Sequence, residues 1–223
     1  QSGTDAVNEL VRAILQDEPL RMRRLAGIFH IDIASIHELW LFCGTDAGKV
    51  KKHMKEYCEL MRQYADTVFG AVFEGMPVMC LSTPHSLRET EKVMMGMIAD
   101  MRAVWPDAVI VRCCGLNNTT DCHRAYLTVL DALEDVRNIF PDRCLVLQGE
   151  LEFAAECRKL IDGGEDAAMR SLAPLTALKS DSESGDLLET VCTYLLDCDG
   201  SVTKTAGKLF LHRNTIKYRL QRI

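Results

Sequence analysis

The sequence predicts a mixed fold, α+β or α/β of the ferredoxin-like kind, with helices on a mixed sheet and a small all-α domain after it. Three observations carry that expectation. The apolar period alternates between strand and helix across residues 36–161. After Gly185 only helical spacing remains. With 48% hydrophobic residues in 223, the chain has enough apolar material for a real core.

The elements follow in order. DAVNELVRAILQD places Val7, Leu10, Val11, Ile14 and Leu15 at helical spacing, so a helix is expected over about 5–16. A second short helix, LRMRRLAGIFHI, follows Pro19. IHELWLF (36–42) is short, apolar and aromatic, which suits a strand. AGKVKKHMKEYCELMRQYA (47–65) aligns Val50, Met54, Cys58 and Met61 on one helical stripe. TVFGAVFE and MPVMCLS meet at Glu74-Gly75 and read as a hairpin. Ser86 stands three residues before Glu89, a capping box opening a helix that runs towards Trp105-Pro106. AVIVRCCGL is a strand, DCHRAYLTVLDALEDVRNIF a helix, RCLVLQ a strand and GELEFAAECRKLI a helix. The resulting order, β-α-β-β-α-β-α-β-α, is one antiparallel-containing sheet with helices on its faces. The organisation expected is therefore a helical segment at 1–35, the α/β domain at 36–161, a linker at 162–185 and a helical domain at 186–223. Pro174 and the SDSESG run mark the linker, with a short helix around 165–172. The start at Gln1-Ser2-Gly3 suggests a piece of a longer chain with upstream domains.

Charge is unevenly distributed. The net charge is −6, which argues against a surface that binds polyanions everywhere. Residues 201–223 nevertheless hold six bases and no acid, leaving the first 200 residues with 20 bases against 32 acids. Any polyanion site is expected at the C-terminus. The ten cysteines lie mostly in apolar runs such as VIVRCCGL, with no CxxC pair and no histidine at zinc-finger spacing. They read as reduced, buried thiols, and no metal or cofactor is expected. No secretory leader is apparent and no apolar run reaches the ~18 residues that cross a bilayer. A cytoplasmic protein without a membrane partner is expected.

The tail DGSVTKTAGKLFLHRNTIKYRLQRI has a specific physical shape. Asp199-Gly200 ends one helix and Ser201 caps the next. Val202, Ala206 and Leu209 form one apolar stripe, and Ile216, Leu220 and Ile223 form another on a helix beginning near Arg213. Two short helices joined by a tight turn at Leu211, with small Ala206 at the crossing, is helix-turn-helix geometry. The face opposite the second stripe holds Asn214, Tyr218 and Gln221, flanked by Lys217 and Arg222. Such a face suits the major groove, where Asn and Arg contact bases while Lys, Thr and Tyr hold phosphates.

The run LLETVCTYLLDCDGSVTKTAGKLFLHRNTIKYRLQRI closely resembles the C-terminal helix-turn-helix of PucR/CdaR-type bacterial transcriptional regulators, above all in its LHRNT-x-x-YRL-x-RI core. It is similar to the Fis-type motif too, except that Phe210 stands where that pattern has Gly. A positive φ costs Phe more than Gly, so an altered turn is expected there. GLNNTTDCHRAYLTVLDALE and RLAGIFHIDI resemble the family's central GGDEF-like domain and the lead into it. The resemblance implies DNA contacts at Arg213, Asn214, Thr215, Lys217, Tyr218 and Arg219, and Thr203, Lys204 and Arg222 complete the expected set. It implies double-stranded DNA as partner, a homodimer on paired half-sites, and a small-molecule effector as a further candidate.

Catalysis is not expected. A GGDEF-type cyclase needs carboxylates at its central hairpin to hold metals. Here the hairpin reads FEGMPVM, with Glu74 its single acid. No histidine has a Ser, Asp or Cys partner at a recognisable spacing. The Met-rich EKVMMGMIADM is expected in a core. Two other readings stay open: a small-molecule or nucleotide sensor whose helical tail mediates dimerisation, and a module that binds an acidic protein through the same basic helix.

Overall fold

All six residues of ELWLFC, strand β1 (Glu38–Cys43), are buried, as befits a strand covered on both faces. The computed structural model describes residues 2–176 and 184–223. They fall into two units, Gln1–Arg158 and Lys159–Ile223. The first unit contains α1 (Ser2–Leu15), α2 (Pro19–Phe29), β1, α3 (Ala47–Met61), β2 (Val68–Phe73), β3 (Met76–Leu81), α4 (Leu87–Arg102), β4 (Val109–Cys114), α5 (Thr119–Ile139) and β5 (Leu145–Leu147); α6 (Gln148–Asp162) follows. The strand order is β2-β3-β1-β4-β5. β1 pairs antiparallel with β3 and β4, β2 pairs antiparallel with β3, and β5 joins β4 in parallel. The first four strands make the split βαββαβ arrangement, and α5 carries the chain across to the added fifth.

Alternation along the strands sorts the core into two layers. Leu39, Leu41 and Cys43 of β1 point to the face covered by α1, α2, α5 and α6, where Leu10, Ile14, Val129 and Leu151 are fully buried. Trp40 and Phe42 point to the other face, where α3 supplies Val50, Met54, Cys58 and Met61 and α4 supplies Met94, Met97, Ile98 and Met101. The α3 stripe and the Met-rich run of α4 thus pack as the periodicity predicts. The helix of the 1–35 segment set apart in the sequence reading contributes its whole apolar face, Leu10 to Leu15, to this core.

Local signals explain most boundaries. Ser86 Oγ accepts from Glu89 N–H at 3.4 Å, starting α4. That helix ends at Arg102, earlier than Trp105-Pro106. Asn118 caps α5 by accepting from Asp121 N–H at 2.9 Å. The hairpin turns at Glu74 (φ 47°) and Gly75 (φ 81°), a two-residue loop with both residues left-handed. Burial first, then the charge of the nearby Glu74 carboxylate, raises the pKa of the Tyr126 phenol on α5.

One polar group sits inside the sheet. Arg112 of β4 donates from Nε (2.9 Å) and Nη2 (2.6 Å) to the carboxylate of Glu38 on β1, and Trp40 Nε1–H donates to the same carboxylate at 2.8 Å. Both charged residues are buried. Burial pulls Arg112 towards neutrality, but the hydrogen bond and charge of Glu38 outweigh it and its pKa is raised.

In the second unit α7 (Glu165–Thr176) is longer than the short helix expected in the linker, and Pro174 lies within it. Of the SDSESG run, residues 180–183 lie outside the described residues. Then come α8 (Ser184–Cys192), a π turn (Thr193–Asp197), α9 (Val202–Lys208) and α10 (Arg213–Gln221). No helix among the described residues is long and apolar enough to cross a membrane.

Candidate nucleic-acid interface

The C-terminal helices are short, so their termini matter as much as their faces. Ser201 Oγ caps α9 by accepting from Lys204 N–H at 3.3 Å. Asp199 (φ 49°) and Gly200 (φ 71°) shape the turn before it, and Gly200 N–H donates to Tyr194 O at 2.8 Å. His212 Nδ1 caps α10, accepting from Asn214 N–H at 3.2 Å. Between α9 and α10, Leu211 N–H donates to Ala206 O at 2.9 Å, the six-to-one bond of a Schellman closure. That closure needs a left-handed residue, and Phe210 takes it at φ 54° with its ring 95% exposed. The turn therefore keeps the geometry that a glycine would give, and the altered turn expected from Phe210 is not found.

A small core holds the three helices. Ile216 of α10 is fully buried and Ala206 of α9 nearly so, with Leu187, Thr190, Thr193, Cys198 and Thr205 around them. Thr205 satisfies its hydroxyl on Ser201 O at 2.8 Å. Val202, Leu209 and Leu220 are only half-buried, and Ile223, expected on the same stripe as Ile216, is past the helix end and exposed. DLLETVCTYLLDC spaces Leu188, Cys192 and Leu195 as a helix would, yet Cys192 and Leu195 are exposed, and from Thr193 a π turn replaces the 3.6-residue period.

The bases divide into two groups. Arg219 turns into the domain: Nη2 meets Asp186 Oδ2 at 2.6 Å and Nη1 donates to the buried Thr190 Oγ1 at 3.1 Å. It was expected at DNA; here its guanidinium is occupied in tying α10 to α8. Lys204 pairs with Asp199 at 3.5 Å and Lys208 with Asp197 at 3.0 Å, both at the surface. Carboxylates that precede residue 201 thus answer part of the basic segment. Arg213 and Lys217 are exposed and have no ion pair among the described residues.

The outward face of α10 consists of Arg213, Asn214, Lys217, Tyr218, Gln221 and, at its end, Arg222. Arg222 stacks over the Tyr218 ring at 5.8 Å. Thr215 is half-buried, and Thr203 is exposed in the first turn of α9. Gln221 lies on the polar face of the helical wheel, though residue type alone left it out of the contact set. Asp186 and Thr190 left no signal in periodicity, being 33 and 29 residues from Arg219. Among the described residues no cluster of His, Cys, Asp or Glu could hold a metal.

A three-helix unit with a Schellman turn, a buried Ile216–Ala206 crossing and a polar, basic second helix defines a helix-turn-helix protein, in which the second helix of the pair enters the major groove. Residues 187–223 match the family described as the PucR C-terminal helix-turn-helix domain. An uncharacterized protein of Mycobacterium bovis is 42% identical over 65 residues, and two from strains of Mycobacterium tuberculosis match equally; the match covers 26% of this chain and 16% of each relative's length. The crystal structure of a regulator of polyketide synthase expression from Bifidobacterium adolescentis aligns with 99% of this chain and 83% of its own, at a TM-score of 0.50 and 17% identity. That likeness is one of fold.

Proposed function

We propose that this chain is a sequence-specific, DNA-binding regulator of transcription acting in the cytoplasm. The observation that carries the reading is the exposed face of α10, where Arg213 and Lys217 have no acid partner among the described residues and flank Asn214 and Tyr218. Arg213 and Asn214 have the donors and acceptors for base edges, and Lys217, Tyr218, Thr203, Lys204, Thr215 and Arg222 suit phosphates. Arg219 enters the reading as the residue that holds α10 at its angle. The α/β unit serves as a degenerate GGDEF-like scaffold for dimerisation or signal relay, with a small-molecule effector as its candidate input. A homodimer would engage two half-sites about one helical turn apart.

The test is duplex binding by the whole chain at low salt, against fragments selected from the genome and scrambled controls. Arg213→Ala with Lys217→Ala is expected to abolish binding while the circular dichroism spectrum is unchanged. Each single variant should weaken binding and reduce the slope of log affinity on log salt by about 1. Unchanged binding by the double variant, or equal affinity for scrambled DNA, would overturn the reading.

A further inference from the structure

α10 is held to its neighbours by little apolar surface. Among the described residues Ile216 is its one buried side chain, and a single knob leaves a helix free to turn about it. Arg219 lies three residues on, about 4.5 Å further along the axis and roughly 60° around it. Its side chain is 18% exposed and reaches across to α8. Nη2 meets Asp186 Oδ2 at 2.6 Å; Nη1 donates to Thr190 Oγ1 at 3.1 Å and lies 3.5 Å from Asp186 O.

The receiving end is itself fixed. Thr190 is fully buried, and its hydroxyl donates to Asp186 O at 2.6 Å. With that proton committed, the hydroxyl has only lone pairs to offer the guanidinium. Asp186 and Thr190 stand one turn apart on α8, so a planar group that meets both is set in orientation as well as distance. A lysine, with one nitrogen, could not do the same. Asp186 is in the first turn of α8 and Arg219 in the last turn of α10, each where the helix dipole favours its charge.

We infer that Arg219, with Asp186 and Thr190, is a positioning device that sets the rotation of α10. It decides that Asn214, Tyr218 and Gln221 are the residues turned towards a duplex, and it acts on sequence selectivity without touching DNA. The charges that supply affinity for phosphate lie elsewhere on the helix: Arg213 and Lys217 are exposed, with no ion pair among the described residues. Selectivity and bulk affinity are therefore separable. The inference rests on the DNA-binding reading and adds to it residues outside the contact face.

The test measures the affinity of the whole chain for a genome-selected duplex and for its scrambled counterpart, each across a range of salt. Arg219→Ala and Asp186→Asn are expected to lower the ratio of the two affinities at least about tenfold. Affinity for the scrambled duplex and the salt slope should stay as in the wild type. Thr190→Val, which keeps the volume and removes the hydroxyl, should lower the ratio less. Asp186→Arg combined with Arg219→Asp should restore part of it, which a residue holding phosphate could not do.

Three outcomes would overturn the inference. A salt slope smaller by about 1 in Arg219→Ala, or a steeper one with tighter binding in Asp186→Asn, would make Arg219 a phosphate contact. Equal losses on both duplexes would mean that the contact only keeps α10 folded. An unchanged ratio in all three single variants would leave the DNA reading standing without this device. If the wild type itself fails to discriminate, or the double variant at Arg213 and Lys217 binds unchanged, the DNA reading falls and the inference with it.

Discussion

Arg112 shows how much one buried residue can decide. Its guanidinium and the Glu38 carboxylate lie inside an otherwise apolar sheet, and Trp40 completes the carboxylate's hydrogen bonds. Such a pair adds little over apolar residues of the same volume, yet breaking it strands a charge in the core. Arg112→Met is therefore expected to cost about 3–5 kcal/mol, read from the urea midpoint. Replacing Glu38 and Arg112 together by Leu and Met should recover most of that loss. If the single variant unfolded at the wild-type midpoint, water would have to reach Glu38. At this scale the sequence was least legible, since Arg112 in VIVRCCGL looks like any charge ending a strand and its partner is 74 residues away.

Among the elements, the α9–α10 turn is the sharpest case. Phe210 holds a left-handed conformation that costs an L-residue about 1–2 kcal/mol, and glycine would relieve it. Against that, glycine adds unfolded-chain entropy of about 0.4–1 kcal/mol. Phe210→Gly is expected to stabilise the chain by about 0.5–1 kcal/mol, seen as a raised thermal midpoint. A lowered midpoint would mean that the exposed ring has a partner in the folded chain. The turn was legible as a turn because Leu209, Leu211 and Ala206 bracket it. Its dihedral was not, because the Schellman bond from Leu211 to Ala206 overrides the side chain's own preference. The strands, the Glu74-Gly75 hairpin and the Ser86 cap were legible for a simpler reason: each is set by residues within a few positions of one another. The helical spacing of Leu188 and Leu195 does not carry through because a single π turn between them shifts every later side chain.

Taken as a whole, the molecule keeps most of its thiols inside the fold. Cys43, Cys58, Cys80, Cys113, Cys122 and Cys198 are buried, and Cys114 and Cys192 are exposed. Burial pushes the thiols of Cys43, Cys58, Cys113 and Cys122 up to about 12, since a low-dielectric interior disfavours the thiolate. A raised pKa means that the neutral form persists through neutral and mildly alkaline pH. Iodoacetamide at such pH should therefore modify Cys114 and Cys192 first and spare those four until the chain is unfolded in urea. Early labelling of Cys122 or Cys113, mapped by mass spectrometry, would show that the α1–α5 layer opens readily.

What the sequence by itself determined is the set of elements and the outward character of Arg213, Asn214, Lys217 and Tyr218. Period, caps and turn chemistry are local, and a helix's polar face follows from residues three and four apart. Tertiary structure alone decided which bases remain available: Arg219 went to Asp186 and Thr190, and Lys204 and Lys208 found Asp199 and Asp197. It alone placed the leading helix in the core and left β2 at the edge of the sheet. Pairing between distant positions depends on how strands order and helices cross, and no repeat within the chain records that.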